Sequence, residues 1–269
     1  MTSFEDAGVA PGSSSILIGY ACDMLDEVED VTYYVTGLPA EPKEPYNYKL
    51  VFSSDDLIEE YVRPARIKKN GEVITIPALS GCKTIKFDIP GVDLPEMEGF
   101  FTDGSRTLLD TIPCPNVTEY TLRYPGTAAR MEFLREIGLF DLEPVDIKGT
   151  KIKPRDLFAA LAYPAMELGR EENEFTFYYV EVTGKKGSKR VQYQYSLYDE
   201  KDMKTLFPSM SRTTGFTCVI TGRLIAEGIL NMPGVNPPEA IGKNHNSVER
   251  FIEEMKMRNV HINQKVVDL

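Results

Sequence analysis

One arginine in this sequence has neighbours that suit ligand binding best. It lies at the end of an apolar, β-prone run. Arg123 lies in the run 117–124, which is followed at once by Pro125-Gly126 and a helical pattern. A strand that turns into a helix at Pro-Gly brings its last side chains and the helix N–H groups to the same space, where an anion is stabilised. Because the arginine fork matches a carboxylate bidentately, the pattern predicts a carboxylate site at Arg123. The alternative is a strand-end arginine paired with a local Asp or Glu.

Two further polar stretches are candidates for a binding site. The turn Phe101-Thr-Asp-Gly104 presents Thr102 and Asp103, and a carboxylate there suits an ammonium group. The alternative is an ordinary turn, since Asp and Gly favour turns for backbone reasons alone. The run Arg212-Thr-Thr-Gly215 is predicted to open a helix, which makes it either an anion cradle or an N-cap.

The sequence contains none of the short motifs that mark common active sites. The patterns G-x-G-x-x-G, Walker A, G-x-S-x-G and H-E-x-x-H are all missing. His245 and His261 lie near the C-terminus without partners at ligand spacing, so no metal site is predicted. Glu59 and Tyr61 occupy a short predicted helix and are expected to be surface and packing residues. No catalytic base can be assigned.

Composition and charge exclude several classes of protein. The chain has 269 residues, 42% hydrophobic and 26% charged, enough for one large or two modest domains with a full core. Its net charge of −11 repels phosphate backbones, so nucleic acid is not an expected partner. No apolar run is long enough to span a membrane, no signal peptide is visible, and four dispersed cysteines form no disulfide or zinc pattern. We therefore expect a cytoplasmic protein with reduced thiols and no membrane association.

The chain opens with a pattern that is odd on its own. Residues 5–12 predict a strand end and a Gly/Pro turn, and the serines at 13–15 cap an apolar helix over about residues 14–27. A lone strand has no sheet to join and would leave its backbone groups unpaired. From Val31 onward the pattern changes to a new, mostly antiparallel sheet. Its predicted strands are 31–35, 47–52, 66–69, 73–77, 82–88 and 97–102, with a hairpin turn at Asn70-Gly71.

The second half of the chain alternates helices with one long hairpin. The helices are predicted at 53–61, 127–137, 154–166, 211–228 and 247–259. The aromatic-rich strands 174–183 and 190–198 form the hairpin, which is typical of a closed sheet or a dimer contact. The helix 211–228 carries Phe216, Val219, Ile220 and Leu224 in a wide apolar stripe, which must be covered by something.

Seven short motifs occur in the order found in one enzyme family. They are Ala7-Gly-Val-Ala-Pro-Gly12, Gly37-Leu-Pro39, Glu60-Tyr61 with Pro64-Ala65, Phe101-Thr-Asp-Gly104, Thr121-Leu-Arg-Tyr-Pro-Gly126, Arg212-Thr-Thr-Gly-Phe216 and Gly234-Val-Asn-Pro-Pro-Glu239. In this order they resemble the saccharopine dehydrogenase family, most of all its lysine 6-dehydrogenase-like branch. The resemblance covers essentially the whole chain.

The resemblance implies an α+β fold with a mixed, mostly antiparallel sheet covered by helices, similar to the C-terminal domain of glyceraldehyde-3-phosphate dehydrogenase. Residues 1–30 would be a remnant of the edge of a Rossmann domain, and 31–208 the substrate-binding and dimerisation domain. Residues 209–269 would be helices that return to the nucleotide domain. The N-terminal Rossmann half, with its glycine fingerprint, is absent from this sequence. That absence would account for both the lone opening strand and the uncovered stripe.

The resemblance also implies a reaction and assigns roles to residues. The expected function is the substrate-binding and dimerisation portion of an amino-acid dehydrogenase, with NAD or NADP held by a Rossmann domain supplied elsewhere, on a separate subunit for example. Ala10 stands where saccharopine reductases have an aspartate, so lysine or another small amino acid fits better than saccharopine. Substrate would bind at Arg123, Tyr124, Thr102 and Asp103, and the cofactor would lie near Pro11, Gly12, Thr213, Thr214 and Gly215. The alternatives are a non-catalytic amino-acid-binding or scaffolding dimer that has lost its nucleotide half, and a truncated product with no role of its own.

Overall fold

A nine-stranded mixed sheet forms the centre of the molecule in a computed structural model that describes all 269 residues. The strands are β1 (Thr2–Phe4), β2 (Glu27–Pro39), β3 (Ala65–Lys69), β4 (Glu72–Ile76), β5 (Lys83–Ile85), β6 (Met97–Phe101), β7 (Val117–Arg123), β8 (Val145–Ile147), β9 (Thr150–Ile152), β10 (Glu174–Lys186), β11 (Lys189–Glu200), β12 (Gly234–Asn236) and β13 (Ile262–Asp268). The helices are α1 (Ser13–Asp23), α2 (Ser54–Val62), α3 (Leu108–Thr111), α4 (Thr127–Glu136), α5 (Pro154–Met166), α6 (Ser209–Ala226) and α7 (His245–Met257), with a 3₁₀ helix at Pro238–Lys243.

The large sheet is antiparallel at every pairing except one. Its order is β13-β11-β10-β2-β7-β3-β4, with β6 pairing β7 and β5 pairing β6. The exception is the parallel pair β2–β7, in which Val31 lies opposite Val117 and Val35 opposite Thr121. The α+β fold with a mostly antiparallel sheet is therefore confirmed.

Helices cover both faces of this sheet and divide the core in two. One core contains 28 buried residues from α1, α6, α7 and the sheet, and the other contains 21 from α2, α4, α5 and the opposite face. Strand alternation sends neighbouring side chains to different cores, as Tyr33 and Tyr34 illustrate. The parallel pair β2–β7 lies between the two sets of helices.

Several predicted elements need correction. Residues 47–52 do not form a strand, because Leu50 makes only an isolated bridge to Glu167 and its N–H donates to the Met166 carbonyl. The C-terminal strand β13 was not predicted; it pairs with β11 along the sheet edge. In α4, Phe133 and Ile137 are more than half exposed, contrary to the apolar face expected from their spacing.

Both terminal segments pack against the rest of the chain. The opening strand is β1, earlier than predicted, and it is not alone: Thr2 to Phe4 pair in parallel with β12. Helix α1 packs tightly on the 3₁₀ helix, where a Cβ on Gly19 would lie 2.1 Å from the Glu239 carbonyl oxygen. In α6, Ile220 and Leu224 are buried in the core while Val219 remains 54% exposed, so the stripe on this helix is covered for the most part.

Candidate functional site

A cavity of about 570 Å³ opens beside the parallel strand pair and contains five of the residues predicted for binding. Its walls come from the N-terminal loop 6–11, from β2, from α2, from the loop after β6, from β7 and from α6. The predicted residues that line it are Pro11, Thr102, Asp103, Arg123 and Thr214. The sequence prediction thus identified the location of the cavity through widely separated motifs.

Strand β7 contributes three buried polar side chains to one wall. Glu119, Thr121 and Arg123 alternate along the strand, so all three point to the same side. At about 3.3 Å per residue, the backbone positions of Glu119 and Arg123 are roughly 13 Å apart. The cavity therefore has a carboxyl group towards one end of this wall and a guanidinium towards the other.

Arg123 combines the two interpretations offered for it from the sequence. It lines the cavity, but it is only 2% exposed and forms an ion pair with Glu60 of α2. A second guanidinium nitrogen donates to the Leu122 carbonyl at 2.8 Å, and the fork lies 4.8 Å from the centre of the Tyr48 ring. Burial alone would lower the pKa of Arg123, but the Glu60 carboxylate raises it above its usual value, so the guanidinium stays charged. Its Nε–H has no partner, which leaves one buried donor unsatisfied.

Asp103 is already neutralised, which corrects the expectation of a free carboxylate for an ammonium. Arg66 of β3 donates from Nε at 2.8 Å and from Nη2 at 3.1 Å to the two carboxylate oxygens, and its backbone N–H adds a third bond. Thr102 is buried, and its hydroxyl hydrogen-bonds that of Thr121 at 2.8 Å. Of the three turn residues that line the cavity, only Thr102 is fully buried.

Tyr124 does not belong to the site. It follows Arg123 directly and so points to the opposite side, where its hydroxyl donates to the Pro39 carbonyl in the core under α4 and α5. This geometry makes Tyr124 a core residue. A substrate in the cavity cannot contact it without crossing the sheet.

The stretch 212–215 does not open a helix, contrary to the sequence prediction. Helix α6 begins at Ser209, so these residues lie one turn inside it and their N–H groups face along the helix. Thr213 is fully buried and bonds back to the Ser209 carbonyl, and only Thr214 reaches the cavity. The helix start itself is capped by Glu174, whose carboxylate accepts from the Ser209 N–H.

Gly12, which precedes α1, is required by the backbone conformation at that position. Gly12 has φ of 136°, and a Cβ there would lie 2.0 Å from the Gly8 carbonyl oxygen, so the tight loop requires glycine. The first N–H groups of α1 donate to Gly8 and Val9 carbonyls, which leaves them unavailable to a phosphate. Pro11 faces the cavity and Gly12 does not.

The charged lining of the cavity was largely missed from the sequence. It has six carboxylic acids and three arginines: Asp6, Asp56, Glu59, Glu60, Asp103 and Glu119, with Arg63, Arg106 and Arg123. Most of these acids have cationic partners, at distances from under 3 Å for Asp103 to 3.8 Å for Asp6. The excess of carboxylates favours a ligand that carries positive charge.

Among the acids that line the cavity, Glu119 is buried and forms no ion pair. It is 3% exposed, and its carboxylate accepts from the Gly104 N–H at 2.5 Å. Burial raises the pKa of Glu119 to about 7, against the opposing effect of the Gly104 and Thr102 donors. A polar residue alternating with Thr121 and Arg123 on one strand face was the signal available in the sequence.

Three further findings concern metal binding, membrane-spanning helices and the cysteines. No group of three or more His, Cys, Asp or Glu side chains is arranged to hold a metal ion. Among the helices, none has the length and apolar character required to cross a bilayer. All four cysteines are free thiols.

Solved structures share this fold. Apo saccharopine dehydrogenase (L-Glu forming) from Saccharomyces cerevisiae matches with a TM-score of 0.78 and 18% identity, over 99% of this chain and 74% of that one. Homospermidine synthase from Legionella pneumophila, solved in complex with NAD, matches with a TM-score of 0.59 and 13% identity, over 98% of this chain and 64% of that one. At these identities the likeness concerns the fold.

A family model supports the same relationship at the level of sequence. The model of the saccharopine dehydrogenase C-terminal domain matches residues 8–260, which is nearly the whole chain. The match includes every element that lines the cavity except the first residues of the N-terminal loop. The chain belongs to the saccharopine dehydrogenase C-terminal domain family.

Proposed function

We propose that this chain is the substrate-binding portion of an NAD(P)-dependent amino-acid dehydrogenase that acts on lysine or a related small amino acid. The observation that carries the proposal is the cavity beside β7, which has the Arg123 guanidinium and the Glu119 carboxyl, which forms no ion pair, on one wall. An amino acid has both complementary groups, a carboxylate and an amine. Family membership supports the dehydrogenase class.

The carboxylate of the substrate would bind Arg123 in place of Glu60. Glu60 belongs to α2 and its side chain is 23% exposed, so it can leave the guanidinium towards the cavity mouth. A substrate carboxylate then satisfies the same charge, and the unpartnered Nε–H of Arg123 offers a second hydrogen bond. Arg63, half exposed and only 3.5 Å from Glu59, lies on the same wall of α2 and adds positive charge at the entrance.

The cofactor would lie against the wall formed by the N-terminal loop and α6. Ala7, Val9, Ala10 and Pro11 make this wall mostly apolar, with the Thr214 hydroxyl as a polar group and Asp6 at its end paired with Arg106. These properties fit a nicotinamide ring and offer nothing to the phosphates. When bound, the cofactor supplies the hydride acceptor, and the residues of this chain hold and orient the amino acid beside it.

The phosphates and ribose would be held by a dinucleotide-binding domain outside these 269 residues. Strands β1 and β12 form a two-stranded parallel sheet whose outer edges are unpaired. Parallel sheets this small are rarely stable alone, because parallel strands are normally buried on both faces, and Val235 of β12 is 72% exposed. We infer that further strands of the nucleotide domain extend this sheet, on the same polypeptide or on a separate subunit. A homodimer is also part of the proposal, and the sheet edge available to it beside the β10–β11 hairpin is β13, because β11 is already paired with β13 and β10 with β2.

The test is amino-acid binding by the protein itself, followed by turnover in the presence of the nucleotide domain. Calorimetry should detect L-lysine binding at one site per chain, and reduced nicotinamide should form from L-lysine and NAD or NADP only when the dinucleotide-binding domain is present. Binding of L-lysine without any turnover under those conditions would favour a non-catalytic amino-acid-binding module. Absence of binding by every L-amino acid tested would refute the proposal.

A further inference from the structure

The buried carboxyl at the inner wall of the cavity lacks the partner that its environment requires. Glu119 is 3% exposed and forms no ion pair, whereas Asp103 is held by Arg66 and Glu60 by Arg123. An ionised carboxylate in such a place is costly unless a cation or several donors compensate it. The side chain nevertheless lines the open cavity, where a ligand can reach it.

The protein backbone is shaped to hold this carboxyl in place. The Gly104 N–H donates to one oxygen at 2.5 Å, and a Cβ on Gly104 would come within 2.2 and 2.3 Å of the two carboxyl oxygens. Only glycine allows this approach. The Thr102 hydroxyl favours the charged form of the carboxyl and is itself hydrogen-bonded to Thr121. The Gly104 backbone therefore holds the carboxyl against the wall of the cavity.

We propose that Glu119 is the amine site of the cavity: its carboxylate binds the ammonium group of the substrate and accepts one proton from it. This inference rests on the proposed function and names the residue that would perform the acid–base step. In that step one N–H bond of the ammonium breaks and one O–H bond forms on Glu119, which leaves a neutral amine and a carboxylic acid. Loss of the proton frees the nitrogen lone pair, which would form the C=N bond of an iminium product as the hydride of the adjacent C–H bond passes to an NAD(P) oxidant.

The charges around Glu119 suit this role. Glu60 from α2 and Asp103 from the loop after β6 both favour its protonated form. Tyr33 of β2 also lies near Glu119, and Arg106 and Glu239 act on that tyrosine. Burial raises the pKa of Glu119 to about 7, the range in which a carboxyl can both take up and return a proton near neutral pH. An arriving ammonium would shift Glu119 towards its charged form.

The distance along β7 selects an elongated substrate. Arg123 and Glu119 lie four residues apart on one face of β7, which is roughly 13 Å of backbone. A diamino acid can reach Glu119 with its terminal amine while its carboxylate stays on Arg123. The inference therefore assigns the terminal amine, and not the α-amine, to Glu119.

The experiment is isothermal titration calorimetry of L-lysine in buffers of different ionisation enthalpy, which counts the protons released on binding. L-Norleucine, which lacks the terminal amine, is the ligand control. For the wild-type protein we expect lysine binding to release protons below about pH 7, with the release declining above that pH, and norleucine to release none. In Glu119→Gln the release should disappear and lysine affinity should fall tenfold or more, as expected for loss of a charge-assisted hydrogen bond.

The control variant is Asp55→Asn, which removes an exposed carboxylate of α2 that does not line the cavity. It should leave both proton release and the preference for lysine over norleucine unchanged. If lysine binds wild type and Glu119→Gln equally, with the same proton count, Glu119 is not the amine site, although the proposed function stands. If no amino acid binds the wild-type protein, both proposals fail. The proton count and the norleucine comparison on wild type decide the matter even if the variant does not fold.

Discussion

Replacing Glu119 by glutamine should make the protein more stable at neutral and alkaline pH. The folded protein raises the pKa of this carboxyl to about 7 from an ordinary value of 4.5, because burial disfavours the charge. The folded state therefore binds the proton more tightly than the unfolded state does. Stability from this group is fully present below about pH 4.5 and is lost as pH rises through about 7. Each tenfold change in proton affinity corresponds to about 1.4 kcal/mol, so the loss amounts to roughly 3 kcal/mol at about pH 8.

Glutamine keeps the size and the hydrogen-bonding oxygen of the side chain but cannot ionise. The gain in the free energy of unfolding of Glu119→Gln over wild type should therefore grow from about 1 kcal/mol at about pH 5 to roughly 3 kcal/mol at about pH 8. Urea unfolding followed by far-ultraviolet circular dichroism measures both values. Asp55→Asn, which removes an exposed carboxylate outside the cavity, should show no such growth. A difference between Glu119→Gln and wild type that does not change with pH would refute the reasoning, since it would mean that Glu119 ionises equally easily in both states.

Three further substitutions test the surroundings of the cavity. Gly104→Ala should place a methyl group about 2.2 Å from the Glu119 carboxyl, so lysine affinity should fall at least tenfold by calorimetry while norleucine affinity changes less. Glu60→Gln should destabilise the protein by about 3 kcal/mol, because it leaves Arg123 buried without its partner. Added L-lysine should then raise the melting temperature of this variant more than that of wild type. An equal rise would contradict carboxylate exchange at Arg123. Ser53→Ala removes the hydroxyl that accepts from the Asp56 N–H at 3.4 Å and caps α2, so the free energy of unfolding should fall by about 1 kcal/mol in thermal denaturation. An unchanged value would show that this long hydrogen bond contributes nothing.

Local signals in the sequence predicted most of the secondary structure. Asn70-Gly71 specified a tight hairpin between β3 and β4, and both φ angles at the turn are positive as that turn type requires. Ser53 capped α2, and Pro154 opened α5 at its first position. The β10–β11 hairpin followed from alternation alone. Each of these elements depends on residues next to one another in the chain.

The errors arose where distant contacts decide the structure. The segment 47–52 alternates like a strand, but its backbone bonds run to Met166 and Glu167 in another part of the chain, so no ladder forms. Strand β13 carries exposed, charged side chains and gives little pattern, because it is an edge strand stabilised by its bonds to β11. Strand β1 is only three residues long and exists because β12 lies beside it.

Five of the nine residues predicted for binding line the cavity, Arg123, Thr102 and Thr214 among them, but the pairing of its charges was not predicted. The ion pairs could not be predicted from the spacing of residues in the sequence. Arg66, for example, neutralises Asp103, which lies 37 positions away. Glu119 lay two residues from Thr121 on the same strand face, yet only the cavity shows that this carboxyl has no cation beside it.

The most direct test of the central claim is a crystal structure of the protein with L-lysine bound. The account predicts lysine in the cavity beside β7, with its carboxylate on the Arg123 guanidinium, Glu60 displaced from it, and its terminal nitrogen within hydrogen-bonding distance of the Glu119 carboxyl. Lysine bound at another surface, or bound here with the Arg123–Glu60 pair intact and its terminal amine away from Glu119, would contradict it.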